Sequence, residues 1–218
     1  MAMLDTVQER GPDRSDTTRR QLCLAAEELV AREGIGQATL RSIAAAAGQR
    51  NTAAVSYHFG SVENLLRAAV DMRVRDLEPH RRALIAERGG DVAALDPFAA
   101  WLCMMRPYLM LADERVPHAH ARFLMHMCVA ARLSDPIAPG YEAPDAPTME
   151  MLLVRIAAGL SHLPHQQARA RMSLCGMLYW NAIALFDGGA LGSTGPTVPL
   201  GTILADVEDS VRRLLTKS

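Results

Sequence analysis

Lysine, aromatic side chains, paired cysteines and long apolar runs are all scarce in this sequence, and each scarcity excludes something. Only Lys217 is lysine among 23 basic residues, and 24 acidic residues bring the formal charge to −1. The chain therefore lacks the overall basic excess of a highly charged nucleic-acid binder, and the placement of its charges matters more than their sum. No stretch approaches the roughly 18 uninterrupted apolar residues of a membrane-spanning helix. The first fifteen residues, with Asp5, Glu9 and Asp13, lack the basic-then-apolar layout of a signal peptide, so a cytoplasmic protein with no membrane partner is expected. Cys23, Cys103, Cys128 and Cys175 lie far apart in apolar helical patterns, without the spacing of a zinc site, and read as buried thiols. His118, His120 and His126 do not share one helix face, so no metal is expected. Phosphate-binding loops, nucleophile elbows, HExxH and paired carboxylates are missing too. The chain is expected not to be an enzyme and to need no cofactor.

What is present is helical periodicity. Half of the 218 residues are apolar, enough for a buried core. Leu22, Ala25, Ala26, Leu29 and Val30 form one stripe of a helix that starts near Asp16 and stops at Gly34. Thr39 is placed to cap a short second helix that ends at Gly48, with Ile43, Ala44 and Ala47 buried. A third helix runs from a cap at Asn51 through Val55 to His58. Ser61 caps a long fourth helix with Leu65, Leu66, Ala69 and Val70 on one face, kinked or divided at Pro79. Further helices are expected near 96–111, 117–132, 148–163, 165–187 and 200–216, with loops over Ser134–Pro147 and Gly188–Pro199. The fold class is all-α: a three-helix helix–turn–helix module joined by a long helix to a larger helical domain. The organisation reads as a flexible arm over 1–15, the helix–turn–helix module over 16–60 and the larger helical body over 61–218. In the module, Ala44–Ala47 keep the second helix small where the third crosses it, and Gly48 tolerates the turn. No Asp or Glu occurs from Gly34 to Gly60, while Arg41 and Arg50 do, which suits a phosphate-facing surface.

The run Thr39-Leu40-Arg41-Ser42-Ile43-Ala44, then Gly48, Ala54-Val55-Ser56-Tyr57-His58-Phe59-Gly60 and Glu63-Asn64-Leu65-Leu66 resembles the TetR family of bacterial transcriptional regulators. The resemblance implies double-stranded operator DNA as a partner, reached through Thr39, Arg41, Arg50, Thr52, Ala53, Ser56, Tyr57 and His58. Tyr57 and His58 match backbone-holding positions, Arg41 a base- or phosphate-contacting one, and Thr39 sits at a helix N-terminus. Thr52, Ala53 and Ser56 lie on the exposed side of the third helix, where methyls and a hydroxyl can read groove edges. The chain departs from the family at Ser61-Val62-Glu63, where many members carry a lysine, and at Ser56, where many carry tyrosine.

Beyond Met72 the chain is rich in methionine and apolar rings, an adaptable composition. The resemblance implies an apolar small-molecule effector there. Trp101, Met105, Tyr108, Phe123, Met127, Met151, Met177 and Trp180 are the candidate lining, with Arg106, Arg122, His126 and Arg155 as candidate polar anchors. It also implies a homodimer through the last two helices, with Met172, Leu178, Tyr179, Val207, Val211 and Leu214 at the interface. A two-fold pair also suits half-sites one helical turn apart. Expected, then, is a repressor that binds a palindromic operator and is released by its effector. Two alternatives stay open: a helical carrier or enzyme for hydrophobic molecules with a non-functional DNA module, and a ligand-independent DNA-binding repressor.

Overall fold

Local capping and glycine signals set the helix ends around the N-terminal module. The computed structural model describes residues 14–49, 53–111, 116–130, 145–188 and 198–216, and among them there are helices and no strands. α1 (Arg14–Glu33) carries Asp16 in its first turn and Arg32 in its last, both favourable to the helix dipole. α2 (Leu40–Ala46) starts at Thr39, whose hydroxyl accepts from the Ser42 N–H at 3.1 Å while Ser42 Oγ accepts from the Thr39 N–H at 2.9 Å. This reciprocal pair satisfies two otherwise orphaned donors. Gly48 then turns at φ 68°, which a side chain would resist. α3 (Ala53–Phe59) follows; the expected cap at Asn51 lies outside the described residues. Ser61 caps α4 (Val62–Asp76), its hydroxyl accepting from the Asn64 N–H at 3.1 Å.

Proline divides the fourth helix as its chemistry requires. α4 ends at Asp76, Leu77 forms the joint, and α5 (Glu78–Ala86) continues with Pro79 in its first turn, where the missing N–H costs nothing. The larger body is completed by α6 (Pro97–Met105), α7 (Ala119–Val129), α8 (Pro147–Gly159), α9 (His165–Asp187) and α10 (Leu200–Leu215). The expected 96–111 helix ends early because Pro107 breaks it into a short 3-10 turn over Arg106–Leu109. α6 packs on α8, and α9 packs on both α7 and α10. α6 and α8 approach so closely that a Cβ at Gly159 would clash with the Pro97 ring.

α1 belongs to both parts of the molecule. It packs against α2 and α4 on one side and against α7 on the other. One continuous apolar core consequently runs from Leu22 in α1 to Leu215 in α10. The three-helix module is thus seated directly on the larger helical body. No helix among the described residues is long and apolar enough to cross a membrane.

Candidate nucleic-acid interface

α3 has seven residues and hides very little. Val55 and Phe59 are buried, whereas Ala53 and Ser56 are exposed and Tyr57 stands 85% exposed, the most exposed large apolar side chain described. His58 is half-buried, its ring edge-on to Tyr57 at 5.1 Å and tilted toward Phe59 at 6.2 Å. Arg41 and Thr39 are exposed on α2, beside α3. Arg50 and Thr52 lie outside the described residues. Six of the eight expected contact residues are therefore described, and none of the six is buried. Thr39 is already engaged, since its hydroxyl caps α2. The alanine run needs correcting: Ala44 is buried and Ala47 half-buried, but Ala45 and Ala46 are exposed. Helical spacing turns neighbouring residues to different faces, so four successive alanines cannot all meet one crossing helix.

So short and exposed a helix has to be held from outside, and two side chains do it. Arg19 of α1 donates from Nη1 to the His58 carbonyl at 3.0 Å, and its guanidinium lies 4.5 Å from the centre of the Phe59 ring. Asn64 of α4 donates from Nδ2 to the Phe59 carbonyl at 3.0 Å. Both satisfy carbonyls that the end of α3 leaves open, and the Arg19 cation also suits the negative pole there. Asn64 sits within the motif read from the sequence. Arg19 lies 39 residues before its partner, and no local pattern announces it.

Deeper, where α1, α4 and α7 meet, Glu27, Arg73 and His120 are each only 1% exposed. Arg73 donates to the Glu27 carboxylate from Nη2 at 2.7 Å and from Nε at 3.0 Å. The other approach comes from His120, whose Nδ1 lies 2.8 Å from Glu27 Oε2. A carboxylate can only accept, so that ring nitrogen carries the proton. Burial pushes the His120 pKa below the usual histidine value, against the pull of the nearby carboxylate. Burial acts the other way on Glu27, but His120 and Arg73 together outweigh it and hold the carboxyl below its ordinary value. Toward the surface, Asp76 joins Arg73 at 3.5 Å and takes two bonds from Arg20 at 2.8 and 3.0 Å.

The expected effector-lining residues separate into two groups. Trp101, Met105, Tyr108, Phe123, Met127 and Trp180 are buried in the common core. Trp101 meets Tyr179 edge-on at 5.5 Å, and Tyr108 meets Trp180 likewise at 6.1 Å. Trp101 Nε1, Trp180 Nε1 and the Tyr179 hydroxyl are buried there without a hydrogen-bond partner. The remaining candidates do not join this cluster. Met151 is exposed on α8 and Met177 is half-buried. Arg106 is engaged by Glu208 of α10 at 2.8 and 3.1 Å, and Arg155 donates to the Leu95 carbonyl at 2.5 Å. His126 sits beside Gly34, at the end of α1. Arg122 is half-buried on α7.

The expected dimer residues divide in the same way. Met172, Tyr179 and Val211 are buried within the chain, so they are not available at a surface of this conformation. Helical faces seen in sequence do not say which neighbour covers them, and here α9 and α10 cover each other. Leu178 is exposed, and Val207 and Leu214 are half-buried. Leu178 and Val207 line a groove of about 390 Å³ together with Val198, Ile203, Asp206 and Ser210. Leu174 and Leu185 extend the exposed apolar stripe along α9. The remaining histidine of the three, His118, pairs with Asp187 at 3.0 Å.

Residues 22–69 match the family model described as bacterial regulatory proteins, tetR family. No curated protein matches the sequence. Among solved structures, one similar chain is assigned as a TetR-family transcriptional regulator from Mesorhizobium loti MAFF303099. It is 14% identical, with 94% of this chain and 98% of that one covered and a TM-score of 0.45. A second is a gamma-butyrolactone receptor, an ArpA-like protein, 17% identical, covering 91% of this chain and 100% of its own, with a TM-score of 0.43.

Proposed function

From the premise that residues 22–69 make this chain a member of the TetR family of bacterial regulatory proteins, we propose that it is a cytoplasmic transcriptional repressor, not an enzyme. It binds a palindromic operator as a homodimer and is released by a mostly apolar small molecule. The observation that carries this reading is the solvent-facing end of α3. Tyr57 and Ser56 are presented outward while Val55 and Phe59 anchor the helix from behind. On so short a helix the outward Tyr57 leaves its ring and hydroxyl open to a partner such as a phosphate backbone. No acid stands between Gly34 and Gly60 to repel phosphate.

In this reading Tyr57, His58 and Thr39 hold the DNA backbone. Arg41 and Arg50 reach phosphate or base, and Thr52, Ala53 and Ser56 face the groove. The module spans 16–60, and the body from 61 onward binds effector and partner. The two copies meet along α9 and α10 through the stripe that includes Leu174, Leu178 and Val207. The effector enters the layer around Trp101, Tyr108 and Trp180, where buried N–H and O–H donors stand ready for an acceptor oxygen. Satisfying a buried orphan donor is worth about 1–3 kcal/mol.

The test is selection of duplexes from a random pool by the whole protein, followed by binding measured against salt. A palindromic consensus is expected, bound by two chains in sedimentation analysis. Arg41→Ala removes one cation from each of the two copies; with Arg41 on phosphate, binding to all duplexes should weaken alike and the salt slope should fall by about 2. Failure to enrich any duplex at low salt would overturn the reading.

A further inference from the structure

The reading helix and the aromatic core of the larger body are connected through α1 by an unbroken series of contacts. At one end, Arg19 of α1 holds the last turn of α3 through the His58 carbonyl and the Phe59 ring. Eight residues later, about 12 Å along a rigid helix, Glu27 of α1 is gripped by His120 of α7. The His120 ring is itself packed against two others. Tyr108 stacks on it at 5.5 Å and 25°, and Phe123 at 5.9 Å and 23°. Tyr108 in turn meets Trp180 of α9. Any rearrangement that tilts Tyr108 therefore moves the His120 ring, and with it the nitrogen bonded to Glu27. α1 must follow or leave a buried carboxylate short of a donor, and the second choice is the costly one.

We propose that His120 is a positioning residue for DNA binding: it transmits the packing of the Tyr108–Trp180 layer to α1, and through Arg19 to the pose of α3. This deepens the regulator reading above and rests on it for the DNA step alone. The route enters α1 from α7, at a carboxylate that Arg73 of α4 also holds. It needs two properties of one side chain, a flat ring for the stack and an N–H for Glu27. Those properties can be removed separately. His120→Phe keeps the stack and loses the donor; His120→Asn keeps a donor near the Nδ1 position and loses the ring.

The experiment is a double-mutant cycle of Tyr108→Leu with His120→Phe, read in two ways. The first readout is affinity for a duplex selected by the wild-type protein; the second is amide hydrogen exchange across Leu22–Phe59 in the protein alone. Tyr108→Leu is expected to speed exchange in α1 and α3 and to weaken duplex binding by about fivefold or more, the lower range of measured site-to-site couplings. In the His120→Phe background the same substitution should add nothing to either readout. His120→Asn should recover α1 protection relative to His120→Phe. Equal, additive effects of Tyr108→Leu in both backgrounds would overturn the proposal, as would exchange changes confined to the larger body. If Tyr108→Leu does not fold, Phe123→Leu perturbs the other side of the ring and carries the same expectations. If the wild-type protein selects no duplex, the DNA-binding reading fails while the exchange arm still decides the route through His120.

Discussion

The outer end of α3 and the α1–α4–α7 junction solve opposite problems. α3 presents Ser56 and Tyr57 to solvent and buries Val55 and Phe59 for its own attachment. The junction does the reverse: it hides a carboxylate, a guanidinium and an imidazole from water and satisfies the carboxylate from two helices at once. A surface that must meet a partner cannot also stabilise the fold, so its geometry is supplied by neighbours such as Arg19 and Asn64. A buried polar cluster adds little net stability, but it tolerates few arrangements, which makes it a good place to fix one helix against another.

The strongest test of that contrast is to break the junction. Arg73→Ala would leave the Glu27 carboxylate buried with His120 alone, and a loss of about 3–5 kcal/mol is expected in denaturant unfolding. Replacing Glu27 and Arg73 together by apolar residues of similar volume should cost far less, because no charge is then left unpaired. A loss for Arg73→Ala no larger than for the paired replacement would mean that the junction is not the constraint it looks to be.

Acid probes the same place more gently. Burial holds the His120 pKa below its ordinary 6.5, and burial together with Arg122 does the same for the half-buried His126. The unfolded chain takes up these protons near 6.5 and the folded chain resists them. The stability they contribute is complete above that value and is lost as pH falls below it. Glu27 adds a second loss only at lower pH, since its folded pKa is below the ordinary 4.5. The melting temperature should therefore fall by a few degrees between pH 7 and 5, and by less in His120→Asn. An equal fall in both would mean that His120, facing Glu27, Arg73, Arg81 and Tyr108, does not titrate in that range.

These two regions also differ in how far the sequence discloses them. Thr39, Gly48 and Ser61 act within a few residues of themselves, and the structure uses each as its chemistry suggests. The exposed face proposed to meet DNA is also local, drawn from the two neighbouring short helices α2 and α3. The junction is not: Glu27 and His120 are separated by 93 residues, and neither stands out from the helix around it. The larger body is misleading for a related reason. Apolar faces on α9 and α10 were visible, but Met172, Tyr179 and Val211 turned inward, because only packing decides which of several apolar faces is covered. Arg106 and Arg155 looked like pocket anchors and were taken up by Glu208 and the Leu95 carbonyl, partners 102 and 60 residues away.

A local signal should have a local and modest effect. Thr39→Ala removes the hydroxyl that accepts from the Ser42 N–H and should cost about 1 kcal/mol, within the range of other N-caps. Thr39→Ser preserves the oxygen and should recover most of it. If alanine and serine behave alike, the cap is not what holds α2.

Tyr57 and Phe59, two residues apart on α3, bring the comparison down to neighbouring side chains. Phe59 is buried under Arg19, and truncating a buried ring to alanine empties a volume that its surroundings fill only in part. Tyr57 has solvent around it and a single edge-on contact with His58. Tyr57→Ala should shift unfolding free energy by no more than about 0.5 kcal/mol, as exposed substitutions do. Its cost should appear instead in affinity for a selected duplex, where the ring and hydroxyl would reach the backbone. If Tyr57→Ala destabilises the fold as Phe59→Ala does, the ring is part of the core and α3 presents no reading face at this position. If it changes neither stability nor affinity, the exposed ring serves something other than DNA, and the reading face must be sought among Arg41, Ala53 and Ser56.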